Sequence, residues 1–146
     1  MKVRILTATA LLSAIAFSTP ALSQPSATGQ YQPGFWQPEV QVDNSRNIKV
    51  RLLNDTGLNL EYGESGVTIS SLPPGATREF SISISNRTGD IANIPINVKQ
   101  GLTALKYEYN VDPAQNLVTV RIRLTSDRER QDRAIYIDER GRVYSF

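Results

Sequence analysis

The chain has 146 residues and contains neither histidine nor cysteine, which excludes His-based acid–base pairs, cysteine nucleophiles, the usual zinc sites and disulfide bonds. Its 16 Lys and Arg residues include Lys2 and Arg4, which lie in a segment that we expect to be removed, so 14 basic residues remain against 14 Asp and Glu. A chain without net charge has no long-range field to attract nucleic acid, and we exclude that class of partner.

The first 23 residues have the organisation of a secretory signal peptide. Lys2 and Arg4 precede an apolar stretch over residues 5–17, and Ala21-Leu22-Ser23 places small residues at the positions that signal peptidase reads. The apolar stretch is shorter than the roughly 20 residues that a membrane span needs. We therefore expect residues 1–23 to be cleaved, no transmembrane segment to follow, and the mature protein to be periplasmic or extracellular.

Residues 24–39 form a leader rich in Gln and Pro, a composition that disfavours helix and central strand. Tyr31, Phe35 and Trp36, which is the only tryptophan, lie in this leader. Large aromatic side chains are costly to leave in water, so we expect Phe35 and Trp36 to cap the domain that follows. A partner-binding aromatic motif is the alternative interpretation.

Residues 40–146 alternate apolar and polar positions with a period of two, which is typical of antiparallel strands with one buried and one solvated face. Turn signals separate the runs about every ten residues. This pattern predicts an all-β fold, specifically a single antiparallel β-sandwich of immunoglobulin-like type, with Pro95 in an edge strand or at a bulge. The alternating apolar residues are Ile48, Val50 and Leu52; Phe80, Ile82 and Ile84; Ile94, Ile96 and Val98; Leu105, Tyr107, Tyr109 and Val111; Val118, Val120, Ile122 and Leu124.

Several turns and segments have recognisable forms. Asn54-Asp55-Thr56-Gly57 predicts a turn that the Asn side chain closes, with the glycine at positive φ.

The chain resembles small secreted β-rich proteins of cyanobacteria in four segments: Pro33–Pro38, Asn54–Leu58, Leu72–Gly75 and Ile135–Ile137. The resemblance covers most of the mature chain. It implies an envelope location and no particular activity.

Little in the chain predicts catalysis or metal binding. Glu61 and Glu64 are the best candidates for a paired-carboxylate hydrolase, but a short sandwich offers no deep cleft for them. The acids in the segment Asp127–Asp132 alternate with arginines, which is typical of a solvated loop rather than a calcium site. We expect no catalytic residue, no metal and no cofactor. A small hydrolase, or an outer-membrane β-barrel fragment suggested by the terminal Phe146, is a second alternative.

Four basic residues occupy positions predicted to face solvent, Lys49 and Arg51 on one strand and Arg121 and Arg123 on another. If the two strands are neighbours, these side chains form a basic stripe suited to anionic sugar or phosphate groups. Ordinary solvated cations, balanced across the strands by acids such as Glu108, are the alternative explanation.

These observations predict a non-enzymatic exported protein that binds another envelope protein or an extracytoplasmic polymer. A sheet edge formed by the Pro95 strand or by the last strand, Val143–Phe146, would be available for pairing. The alternative is a small-ligand or carbohydrate-binding module, which an aromatic cluster beside a concave pocket would favour. A flat or edge-exposed apolar patch would favour the interaction protein, and the oligomeric state stays open. The candidate binding residues are Tyr31, Phe35, Trp36, Lys49, Arg51, Arg121 and Arg123.

Overall fold

The computed structural model describes residues 37–64, 68–85 and 87–146, and these residues form strands and turns without a helix. The prediction of an all-β chain is therefore confirmed for the part that the structure describes. The strands are β1 (Val40–Gln41), β2 (Ile48–Asn54), β3 (Leu60–Glu64), β4 (Thr68–Leu72), β5 (Thr77–Ile82), β6 (Ala92–Val98), β7 (Leu105–Asp112), β8 (Leu117–Leu124), β9 (Ala134–Ile137) and β10 (Arg142–Ser145).

The strands form two sheets. The six-stranded sheet has the order β1-β10-β9-β6-β3-β4, and the four-stranded sheet has the order β5-β2-β8-β7. Neighbouring strands are antiparallel except β2 and β8, which run parallel in the middle of the smaller sheet. The prediction of purely antiparallel pairing is wrong for this sheet. The chain crosses to the other sheet between β2 and β8, and a long crossover allows a strand to return in the same direction.

The buried faces of the two sheets contribute to one hydrophobic core. The ring of Tyr62 on β3 stacks on Phe80 of β5 with centroids 5.8 Å apart, and the Tyr109 hydroxyl on β7 lies 2.6 Å from Ser145 Oγ on β10. Each fully buried Ile or Leu contributes about 1.5–3 kcal/mol of transfer free energy. The fully buried side chains include Ile48, Val50, Leu52, Leu60, Leu72, Ile94, Ile96, Leu105, Val118, Ile122, Ile135 and Ile137.

Both strands expected at sheet edges lie inside the six-stranded sheet, so that prediction is wrong. β6, which contains Pro95, lies between β9 and β3, and β10 lies between β1 and β9. Pro95 is tolerated because the ladder between β3 and β6 ends at the pair Tyr62–Ile96, next to the residue that has no N–H to donate. Gly63 leaves room for the proline ring, since a Cβ on Gly63 would lie 3.0 Å from Pro95 Cγ.

The predicted turn after β2 is confirmed. Asn54 Oδ1 accepts hydrogen bonds from the Thr56 backbone N–H at 3.0 Å and from its hydroxyl at 2.7 Å, and Gly57 has a φ of 76°. The Asn54 side chain is fully buried, and its Nδ2 donates to the carbonyl groups of Leu58, Leu72 and Pro73. One amide thus joins the turn to the end of β4.

Candidate functional site

The four predicted basic residues lie on two neighbouring strands, as the stripe hypothesis requires. Lys49 and Arg51 are on β2, Arg121 and Arg123 are on β8, and Leu53 is the register partner of Arg121. The residues that flank them along the strands are buried, except Leu124 after Arg123, so all four side chains project from the outer face of the four-stranded sheet.

Three of these four cations have an acidic partner. Arg51 contacts Glu79 of β5 at 2.7 Å, Arg121 contacts Asp55 at 3.4 Å, and Arg123 contacts Glu108 of β7 at 3.0 Å. Exposed pairs of this kind contribute about 0–1 kcal/mol each. This face therefore carries positive and negative charges side by side. Binding of an anion there stays a prediction.

The three aromatic residues predicted to bind, Tyr31, Phe35 and Trp36, lie outside the described residues. The described chain begins next to them at Gln37, and the Glu39 N–H donates to the Val143 carbonyl at 2.8 Å. The chain therefore enters the domain alongside β10.

A cluster of apolar and aromatic side chains lies on the outer face of the hairpin β9–β10. Tyr136 and Tyr144 are register partners, and they project outward because Ile135, Ile137 and Val143 are fully buried on the inner face. The Phe146 ring packs on Tyr136 with centroids 4.4 Å apart and planes at 60°. We call Ile91, Tyr136, Tyr144 and Phe146 the aromatic patch; these residues border a surface depression of about 380 Å³.

Polar groups form one rim of the aromatic patch. Asp138 Oδ2 accepts hydrogen bonds from Arg142 Nε at 2.7 Å and from the Tyr144 hydroxyl at 3.3 Å, and Arg142 also lies 5.8 Å from the centroid of the Tyr144 ring. Burial alone would raise the pKa of Asp138, but hydrogen bonds from Arg142 and Arg140 outweigh burial and hold this pKa below its ordinary value of 3.8. Burial, and then the Asp138 charge, raises the pKa of Tyr144. The rim therefore presents a carboxylate, a guanidinium and a protonated phenol.

An acceptor without a partner lies beside the aromatic patch. Asn93 is the register partner of Tyr136 across β6 and β9, and its Oδ1 is buried and accepts no hydrogen bond from the described residues. Unpaired buried acceptors are uncommon in folded proteins and are costly. This atom adds a polar position next to the aromatic surface.

The two acids considered for catalysis do not converge. Glu61 and Glu64 are three residues apart on β3, so they project to opposite faces of the sheet. Glu61 contacts Lys99 at 3.6 Å, and Glu64 accepts a hydrogen bond from Tyr62 at 3.2 Å. Within the described ranges, no group of three or more acidic residues is arranged to hold a metal ion.

Sequence reasoning did not select Tyr136, Tyr144 or Phe146 as binding residues. A signal was nevertheless present, because in the last hairpin aromatic residues alternate with aliphatic ones, which makes both faces of the hairpin apolar. An outer face of this composition indicates a contact surface.

Comparisons with protein-family models, with curated proteins and with solved structures found no match to this chain. In the part of the chain that the structure describes, no helix is long and apolar enough to cross a membrane.

Proposed function

We propose that this chain is a non-enzymatic exported β-sandwich of immunoglobulin-like type that binds an extracytoplasmic polymer of sugar units through the aromatic patch. The shared core of the two sheets and the non-sequential strand order support the sandwich. The signal-like residues 1–23 support export.

One observation carries the ligand class: Tyr136 and Tyr144 lie opposite each other on an outer sheet face with a charged rim beside them. The apolar C–H face of a pyranose ring stacks on aromatic rings, and its hydroxyl groups hydrogen-bond to carboxylate and guanidinium groups at the ring edge. The surface depression at the patch, about 380 Å³, is within the size range of ligand sites, about 300–1,000 Å³.

Sedimentation with insoluble cellulose, chitin or peptidoglycan tests the proposal. We expect the full chain to sediment with at least one of these polymers, and the double variant Tyr136→Ala/Tyr144→Ala to stay in solution. Ile69→Ala is the matched control, because Ile69 is an exposed apolar residue of β4, outside the patch. Thermal unfolding checks that each variant is folded. Equal sedimentation of the double variant and the wild type would contradict the proposal.

A second candidate function, binding of a protein partner, is favoured by the edge strand β4. This strand pairs only with β3, contains neither proline nor a charged residue, and leaves the Ile69 side chain 76% exposed. An edge strand that contains neither proline nor charged residues can pair with a strand from another chain. Ile69→Lys would abolish such binding and leave sedimentation with polysaccharide unchanged.

A further inference from the structure

A second concave site lies beside the ends of β6 and β7, and none of its lining residues belongs to the aromatic patch. The end of β6, residues 101–104, the start of β7 and residues of the segment 128–133 line an open cavity of about 390 Å³. This volume is within the range of small-molecule sites, about 300–1,000 Å³. Three of its lining residues are apolar and buried: Ile96, Ala104 and Leu105.

Two arginine side chains at this cavity have no partner among the described residues. Arg128 and Arg133 line the cavity and are exposed, and their side chains form neither an ion pair nor a hydrogen bond with a described side chain. The acid between them is already engaged, because Asp132 accepts a hydrogen bond from the Tyr107 N–H at 2.7 Å and contacts Lys106 Nζ at 3.1 Å. The arginines are therefore available to a ligand.

The charges of the lining define the ligand that fits. Arg128 and Arg133 supply two positive charges, and the negative charge of Asp132 is already paired with Lys106, so the lining favours an anionic ligand. Guanidinium groups pair well with carboxylates. An aliphatic stem that contacts the apolar lining residues is removed from water, which favours binding.

We infer that this cavity binds a small organic anion, a carboxylate on a short aliphatic stem. The carboxylate lies between Arg128 and Arg133, and the stem contacts Ala104 and Leu105. This inference is independent of the polymer-binding proposal, since the cavity and the aromatic patch share no lining residue.

Titration of the ¹⁵N-labelled full chain, followed by NMR, tests the inference. The probes are hexanoate, hexanol as its uncharged counterpart, and inorganic phosphate as an anion without a stem. We expect hexanoate to shift the amide signals of Ala104 and Leu105 and to bind about tenfold more tightly than either other probe. Added salt weakens hexanoate binding and leaves hexanol binding unchanged.

Arg128→Gln and Arg133→Gln should each weaken hexanoate binding about tenfold, the loss expected for one charge-assisted hydrogen bond. Arg78→Gln is the matched control, because Arg78 is an exposed arginine of β5, which does not line the cavity. Hexanol or phosphate binding as tight as hexanoate binding would overturn the inference. Hexanoate shifts confined to other residues, or no shifts at all, would also overturn it.

Discussion

The Asp138 carboxylate and the Arg142 guanidinium form a two-nitrogen contact across the turn between β9 and β10. Asp138 Oδ2 lies 2.7 Å from Nε and 2.6 Å from the second guanidinium nitrogen, while Oδ1 accepts the backbone N–H groups of Arg140 and Arg142 at 2.9 Å. One carboxylate therefore closes the turn and orients the rim of the aromatic patch.

This contact makes the stability of the hairpin depend on pH. Since the pKa of Asp138 in the folded chain lies below the ordinary value of 3.8, the carboxylate stabilises the fold at pH values above 3.8. This contribution is lost as the pH falls through the lower, folded-state pKa. We expect Asp138→Asn to lower the free energy of unfolding near neutral pH and to remove part of its decrease in acid, measured by urea unfolding from about pH 6 to about pH 2.

Glu129→Gln is the control for that experiment, because Glu129 is an exposed acid whose only hydrogen bond with the described residues is made by its backbone N–H. We expect its unfolding curve to follow the wild type throughout. Parallel pH profiles of Asp138→Asn and the wild type would show that this carboxylate does not contribute to the acid sensitivity.

Gly141 and Gly75 provide a matched pair of substitutions. Both have positive φ, 75° and 70°, but a Cβ on Gly141 would overlap the Val42 carbonyl oxygen, whereas one on Gly75 would meet no atom within 4 Å. We expect Gly75→Ala to cost about 1–2 kcal/mol of unfolding free energy. Gly141→Ala should cost about 3 kcal/mol or more, because the hairpin must also move away from Val42. Equal losses in urea unfolding would contradict this account of Gly141.

The buried amide of Asn54 should contribute strongly to stability. Asn54→Ala leaves the Thr56 donors and the Leu72 and Pro73 carbonyl groups without this partner, and we expect a loss of roughly 2–4 kcal/mol. Asn110→Ala, at an exposed position of β7, should change the unfolding free energy by at most about 0.5 kcal/mol. A similar small effect of both variants on urea unfolding would refute a structural role for Asn54.

Trp36 reports on the leader, because it is the only tryptophan and immediately precedes the first described residue. If Phe35 and Trp36 cap the domain, as the sequence predicts, the emission of the folded chain is blue-shifted and acrylamide quenches it weakly. Envelope extract should leave this spectrum unchanged. Red-shifted emission that becomes blue when extract is added would instead make the leader a binding element.

Several strands were predictable because apolar and polar residues alternate strictly along them. β2, β6, β7 and β8 alternate buried apolar and outward polar residues over most of their length, and each was expected from the sequence. β3 and β4 were not expected. In β4, Ile69 is exposed and Leu72 is buried, and this odd spacing does not produce a period of two.

The candidate site was harder to predict, because it depends on which strands become neighbours. Arg51 is neutralised by Glu79 and Arg121 by Asp55, and neither pairing follows from spacing along the chain. The aromatic patch likewise requires Phe146 to return over Tyr136 after the hairpin turn. Sheet order and register, rather than residue type, therefore determine the charge balance of one face and the aromatic surface of the other.

An NMR titration of the ¹⁵N-labelled full chain with soluble β-1,4-linked oligomers of glucose and of N-acetylglucosamine tests whether the aromatic patch is the binding surface for a sugar polymer. We expect the largest shifts at Tyr136, Tyr144 and Phe146, and we expect them to disappear in Tyr136→Ala/Tyr144→Ala. No shift with either oligomer, or shifts centred on β4 or on the outer face of the four-stranded sheet, would contradict this proposal.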